Sequence, residues 1–553
     1  MRYGAPAQVT LSTTIELSMM RDMFRILAPC IVGLIALSGC NLARSSMPDV
    51  TVESGETRVR LQASPIPATA TLGALIASAT ESGASPTPTE AASERCDADG
   101  EKRPARQVSA EINIDFATKS ADVVQKIEFL NREALPLKSI VLDVQANQWE
   151  DGFQLMGLTV NGMASDYDLN LNRLRLSLDQ PLDSGCRLEI GLKFRLQPAA
   201  IRDGLRSYRG FFGYSKRQLN LGHFLPTVAA RLDDDWRIHD PVGIGEQVVY
   251  DVADWQVMVS VENAPDALAL AAPGTVTPRG STTWDIELLN SRDLAISLGD
   301  GMTASELQLA NGVTVEVYAF DDAQIYANGV RLNGADHVLK ETEKALPLFE
   351  KLFAPYDRER FVIVQGDFPD GMEFSGLVFV GGAWFTSFDG GPRNYLTLIS
   401  VHEIAHQWWY ARVGNDSALN PWLDEALATY SEYLFIEAHY PAYKNWWWSF
   451  RVAGFFPQGK VDSDVYEFAT AREYINAVYL RGVQMLHNLR VDIGDEAFFQ
   501  LLRAYLAAGD GQIAEPTLFW RQLPPEQRDV TLATRAEYLR QPDDQVLFGA
   551  SGS

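Results

Sequence analysis

Basic residues are scarce: 47 Lys plus Arg stand against 72 Asp plus Glu in 553 residues, a formal charge of −25. A nucleic-acid protein needs a basic stripe to displace phosphate counterions, so this balance excludes nucleic acid as the natural partner. Cysteine is also sparse. Four occur, none with Cys-x-x-Cys spacing, which argues against a thiolate zinc site. The apolar run Ile26–Ser38 falls short of the roughly 20 residues that a spanning helix needs. No aromatic residue lies between Phe24 and Phe116, so that stretch has little with which to build a core. What is present suits a folded chain: 46% hydrophobic and 10% aromatic residues supply core for two to four domains.

The start of the chain reads as a targeting segment. Arg21 and Arg25 precede the apolar run, which ends Leu37-Ser38-Gly39-Cys40. That ending resembles the lipobox of bacterial lipoproteins, which implies a signal peptide over 1–39 and a lipid on Cys40; Met20 or Met23 would make a better start than Met1. Residues 40–105 form an Ala/Ser/Thr/Pro-rich linker without a core, a tether between lipid and body. The expected location is the bacterial cell envelope, with the body outside the cytoplasm. Cys96 and Cys186 remain for that body. An oxidising compartment favours pairing them, and two separate small buried residues is the other reading.

The body divides in two. Val108, Ala110, Ile112, Ile114 and Phe116 alternate with polar residues, as do Leu188, Ile190, Leu192, Phe194 and Leu196, and period two predicts half-buried strands. Residues 106–305 therefore read as an antiparallel, β-sandwich-like domain. Over 306–553 short strands at Val313–Phe320, Phe361–Val364 and Leu377–Val380 surround a helix at Ala335–Phe353. Mainly helical periodicity follows, at Leu398–Arg412, Trp422–Ala438 and Tyr474–Val491. Asn420-Pro421 marks a helix start, with Asn as cap and Pro in the first turn.

Inside the first of those late helices stands His402-Glu403-Ile404-Ala405-His406. Residues four apart share a helix face, so both imidazoles can reach one metal, while Glu403 is displaced toward the metal's water. A catalytic zinc takes three protein ligands and leaves the fourth position to water. Glu425, after 18 intervening residues and at the head of the next helix, is the candidate third ligand. Of twelve tryptophans, Trp408, Trp409, Trp422, Trp446, Trp447 and Trp448 cluster here; most pack a helical core, and one or two could line an apolar specificity pocket.

This pattern, with Trp422-Leu423-Asp424-Glu425 around the third ligand, resembles the aminopeptidase N family of zinc metallopeptidases, the gluzincins. The resemblance implies a thermolysin-like, mainly α catalytic domain with a small mixed sheet, and one zinc per chain. Gly371-Met372-Glu373 is similar to the family's exopeptidase motif, with Phe374 where most members carry Asn. It implies that Glu373 binds the free α-amine of the substrate. Tyr479-Leu480-Arg481-Gly482 resembles the setting of the oxyanion-donating tyrosine, and Tyr474 stands where some members have a companion. Spacing of five does not share an α-helical face, so Tyr474 reads equally well as a core residue. Gly210-Phe-Phe-Gly-Tyr214 and Asn220-Leu-Gly-His-Phe-Leu-Pro226 resemble a stretch of short bacterial members that borders the cleft. The sequence after Tyr479 leaves no room for the large carboxy-terminal helical domain of longer members.

The implied function is release of amino-terminal residues from peptides. Zinc on His402, His406 and Glu425 acidifies water, Glu403 acts as general base, Tyr479 stabilises the oxyanion, and Glu373, with Gly371, Met372 and Tyr474, receives the substrate. The expected partners are peptides with a free amino terminus and a membrane reached through the lipid on Cys40; no obligate protein partner is implied. Two other readings stand beside it: an endopeptidase or other hydrolase on the same zinc site, and a surface binding protein that keeps the fold without turnover.

Overall fold

The structure, a computed structural model, describes residue 96 and residues 103–202, 209–327 and 329–549. The signal peptide, Cys40 and nearly all of the linker lie outside the described residues. Residues 85–553 form one compact unit, and Cys96 is bonded to Cys186.

Strict alternation builds the first half. β1 (Arg106–Asp115) and β2 (Ser120–Leu130) pair antiparallel with Ile112 opposite Val123, and their inward residues are fully buried. β1 departs from the antiparallel expectation on its other side, where it pairs in parallel with β3 (Ala253–Glu262). They sit within an eight-stranded sheet running from Thr275–Pro278 to Met163–Ala164. A four-stranded sheet containing Leu137–Asp143 and Arg173–Leu182, and a five-stranded sheet containing Gln218–Leu221 and Ile296–Asp300, complete this half.

A second five-stranded sheet joins the halves. Its order is β4 (Thr303–Gln308), β5 (Thr314–Ala319), β6 (Arg360–Gly366), β8 (Leu377–Gly381) and β7 (Gly371–Phe374), the last on the edge. Successive side chains on a strand point to opposite faces. Val362, Val364, Phe374, Leu377 and Phe379 enter the core of the β half, whereas Phe361, Ile363, Val378 and Val380 enter that of the helical half. Burial on both faces is why these strands read as continuous apolar runs. Arg292 ties the halves further, donating from its buried guanidinium to the backbone carbonyls of Tyr250, Tyr410, Arg412 and Gln512.

The helical half is built around α1 (Gly334–Leu352), α2 (Tyr395–Ala405), α3 (Trp422–His439) and α4 (Arg481–Ile493). Two expectations need correction. α2 ends at Ala405 and not near Arg412: the His406 carbonyl accepts from Ala411, and Tyr410 turns at φ +139° with its hydroxyl on Asp293. Asn420 does not cap α3 with its side chain. The chain enters through Pro421, and the Asn420 carbonyl accepts from Leu423 and from the Asn415 amide. Trp408, Trp409, Trp422 and Trp447 are sealed in the core, and Trp446 and Trp448 are partly buried against it. Among the described residues no helix is long and apolar enough to cross a membrane.

Candidate metal centre

α2 begins at Asn394, whose side chain accepts from the Thr397 amide, and carries His402 and His406 one turn apart on one face. α3 brings Glu425, in its first turn, against that face. The ring Nε2 atoms of His402 and His406 stand 3.1 Å apart, and an oxygen of Glu425 lies 3.2 Å from the first and 3.7 Å from the second. Donors about 2.0–2.1 Å from one tetrahedral ion would stand about 3.3 Å from each other. The separations fit.

The far sides of both rings are committed. His402 Nδ1 faces Glu432 Oε1 at 3.1 Å, and His406 Nδ1 faces the Trp409 carbonyl at 2.9 Å. With Nδ1 donating in each case, a bound cation would meet the lone pair of each Nε2 in place of a proton. Glu432 is locked in turn by Arg451, which donates to both of its oxygens at 2.9 Å. Burial would raise the Glu432 carboxyl, but Arg451 and His402 outweigh it and hold it below the usual range. Burial opposes the His402 imidazolium, yet Glu425 and Glu432 push it up to about 10; burial and the neighbouring His402 bring His406 down to about 4.

Glu403 lies beside the triad, 4% exposed, with Oε2 sealed from solvent and without a protein partner. Burial raises its carboxyl well above the ordinary range; His402 opposes this, and the neighbouring Glu425 and Asp370 add to it. β7 runs directly over it, because a side chain at Gly371 would run into the Glu403 carboxylate. Glu373, two residues along this edge, places a carboxylate oxygen within 4.8 Å of both Glu403 and a His406 ring nitrogen. Gln407, just past α2, clamps the strand: it donates to the Phe374 carbonyl and accepts from the Gly376 amide. Phe374, where the resembled motif has Asn, turns away from the cleft and packs against His223 and Phe211 in the β core. Gly222 leaves the room that this ring occupies, and Gly210 packs on Phe368, so both resembled stretches of the β half border this strand.

Tyr479 lies parallel to the His402 ring, with centroids 5.9 Å apart. Burial, with Glu425 and Tyr474 nearby, holds its phenol proton well above the usual range. The Tyr474 ring meets it edge-on at 5.5 Å. Spacing of five suits this contact because Ile475–Leu480 is a π-helical turn, which brings residues five apart onto one face.

Sequence reasoning missed one group of the β half. Glu246 has its Oε2 sealed and without a protein partner, and its charge acts on Glu373. Burial, Glu425 and Asp424 raise its carboxyl well above the usual range, and it stands as the largest electrostatic neighbour of Glu373. The preceding Gly245 lies at φ +59° and against the Tyr474 hydroxyl, a position that a side chain would strain and crowd. Glu432 and Arg451 were also missed; the one signal was that Glu432 follows Glu425 by seven residues, two turns on the same helix face. His223 is enclosed by aromatic rings, and His239 bonds Asp416 at 2.7 Å, so neither belongs to this centre.

Residues 337–534 match the model of the Peptidase family M1 domain. Aminopeptidase M1 of Arabidopsis thaliana is 26% identical over 198 residues, 33% of this chain and 22% of that protein. The thyrotropin-releasing hormone-degrading ectoenzyme of Mus musculus is 27% identical over 253 residues, 42% of this chain and 22% of that protein. The chain thus spans about a quarter of the length of the curated relatives it matches. An M1 zinc metallopeptidase variant from Deinococcus radiodurans, solved with Tyr-Ser-Ala substrate, shares the fold at TM-score 0.56 and 20% identity, covering 81% of this chain and 94% of that one. A two-domain M1 zinc metallopeptidase variant bound to L-arginine does so at TM-score 0.57 and 19% identity, covering 79% and 93%. Residues 337–534, which include the His402–His406 helix, thus match the Peptidase family M1 domain, on a fold that these zinc metallopeptidases share.

Proposed function

We propose that the protein is an aminopeptidase that removes the first residue of peptides. The observation that carries this reading is Glu373, whose carboxylate lies within 4.8 Å of Glu403 and of His406 and feels the charge of Glu246 from the other half of the molecule. The repulsion and burial of this carboxylate are relieved when a cation enters, and the ammonium group of a free amino terminus supplies one at a fixed distance from the first peptide bond.

His402, His406 and Glu425 would hold zinc, which supplies a Lewis acid that polarises the scissile carbonyl and acidifies water. Glu403 takes the proton of the attacking water on its unpartnered oxygen and hands it to the leaving nitrogen. Tyr479 keeps its hydroxyl proton and donates it as a hydrogen bond to the developing oxyanion, with Tyr474 packed behind it. Gly371 and Met372 lay the strand edge along the substrate, and Glu432 with Arg451 fixes the tautomer of His402. We infer an exported enzyme anchored through Cys40, which the mass of the mature amino-terminal peptide would test.

The reading is tested with residues 96–553 on matched fluorogenic peptides, free and N-acetylated, with and without a chelator. Only the free-amine peptide should be cleaved, and only without chelator. Equal cleavage of the acetylated peptide would overturn it in favour of an endopeptidase.

A further inference from the structure

The face of α2 that carries the metal ligands continues away from them. Tyr395 precedes His402 by seven residues, two helical turns, so it lies on the same face about 10 Å along the axis. Its ring neighbours Trp384 at 4.8 Å and Phe450 at 5.0 Å, and Phe450 stacks on Trp446 at 5.1 Å. Unlike the sealed tryptophans of the core, these rings are open: Phe450 is 37% exposed, and Trp384, Tyr395 and Trp446 are half-buried. The row ends at a surface pocket of about 350 Å³ walled by Trp446, Tyr443, Arg393 and Asp389.

The near end of the row meets the catalytic strand. Asp370, exposed at φ +71°, stands next to Gly371, which lies on the Glu403 carboxylate, and its charge acts on both Tyr395 and Arg451. A path therefore leads from Glu373 past Gly371 and Asp370 to Tyr395, Phe450 and Trp446. Glu373 marks the acidic start, while at the far pocket Arg393, beside Asp389, lies over the Tyr443 ring and offers a cation. A peptide has the opposite polarity, an ammonium at its amino end and a carboxylate at its carboxyl end. An extended chain advances about 3.3 Å per residue, so the 10 Å between His402 and Tyr395 corresponds to about three residues.

We propose that this aromatic row is the downstream half of the substrate cleft and binds the side chains of the third and fourth residues of an oligopeptide, favouring aromatic ones. The inference rests on the aminopeptidase reading, which orients the peptide with its amino terminus at Glu373. Aromatic side chains on these open rings would gain stacking and buried area, an advantage of about three- to tenfold expressed mainly in KM.

The zinc-loaded full chain is assayed for release of the first residue from Ala-Ala-Phe-Phe and Ala-Ala-Gly-Gly, in the wild type and in Phe450→Ala, Trp446→Ala and Phe450→Tyr. The expected result is a wild-type preference for the aromatic peptide in kcat/KM, lost in the two alanine variants and kept in Phe450→Tyr. No preference in the wild type, or a preference that both alanine variants retain, would overturn the proposal. N-acetylated Ala-Ala-Phe-Phe separates the two failures. Its cleavage at the rate of the free peptide would overturn the orientation and the aminopeptidase reading together, whereas loss of the aromatic preference alone leaves that reading intact.

Discussion

The two halves of the molecule bury polar groups in opposite ways. In the β half they are mostly neutral and paired: Gln125 donates to the Pro226 carbonyl, Gln218 to that of Gln365, and Asn220 to that of Gly210. In the helical half Glu403, Glu425, Glu432, His402 and His406 are all buried around one point. Ionised carboxylates crowded in a dry site are costly unless a cation joins them. The contrast teaches that the first half packs its polar groups without needing a cation, while the second holds a charge arrangement that a cation would complete. Glu246 extends the β half's charge toward that arrangement.

That contrast can be broken at several points. Chelation has the largest expected effect. It should reduce peptide turnover to background while the far-ultraviolet circular dichroism of the strands persists, and loss of all structure would show that the frame depends on the metal. Next, Phe194→Ala, in the centre of the β core, should cost about 3–5 kcal/mol of stability by denaturant unfolding, while the zinc content of the folded fraction stays at one per chain. Glu432→Gln removes the negative charge that His402 and Arg451 share and one of the two oxygens that accept from them. It should weaken zinc binding by about 10–100-fold in a competition titration, with a smaller change in melting temperature.

The smallest effect concerns one of the charged groups buried in the frame. Asp143 is buried between Gln145 and Asn172, and burial raises its carboxyl to about 7 from an ordinary value of 3.8. Between those values the folded chain holds a proton that the unfolded chain releases, so this carboxyl lowers stability progressively as pH rises from about 4 to about 7. Asp143→Asn should flatten that slope, gaining on the wild type in melting temperature at pH 8 relative to pH 5. A parallel pH dependence in the two proteins would remove Asp143 from the account.

How much could be read in advance follows from the same division. Alternation made strands such as Arg106–Asp115 legible, because one face of each is buried and the other is not. His402, Glu403 and His406 were legible because their spacing is a consequence of helix geometry, and Glu425 because it heads the next helix in a setting that resembles a known family. Glu246 carries no such spacing; it lies on a loop whose path depends on Gly245 fitting against Tyr474. The pairing of Tyr474 with Tyr479 was not legible for a related reason, since a π-helical turn changes which residues share a face. Phe374 departs from the exopeptidase motif, and its ring belongs to the β core, while Glu373 on the same strand lies beside Glu403 and His406.

The central claim is that Glu403 acts on chemistry supplied by a metal that other residues hold. It is tested most directly by measuring zinc content and turnover together in purified Glu403→Gln. The account predicts one zinc per chain, as in the wild type, with turnover of a free-amine peptide reduced by at least about 10²–10⁴-fold. Loss of the zinc from that variant, or turnover near the wild-type rate with the zinc in place, would contradict it.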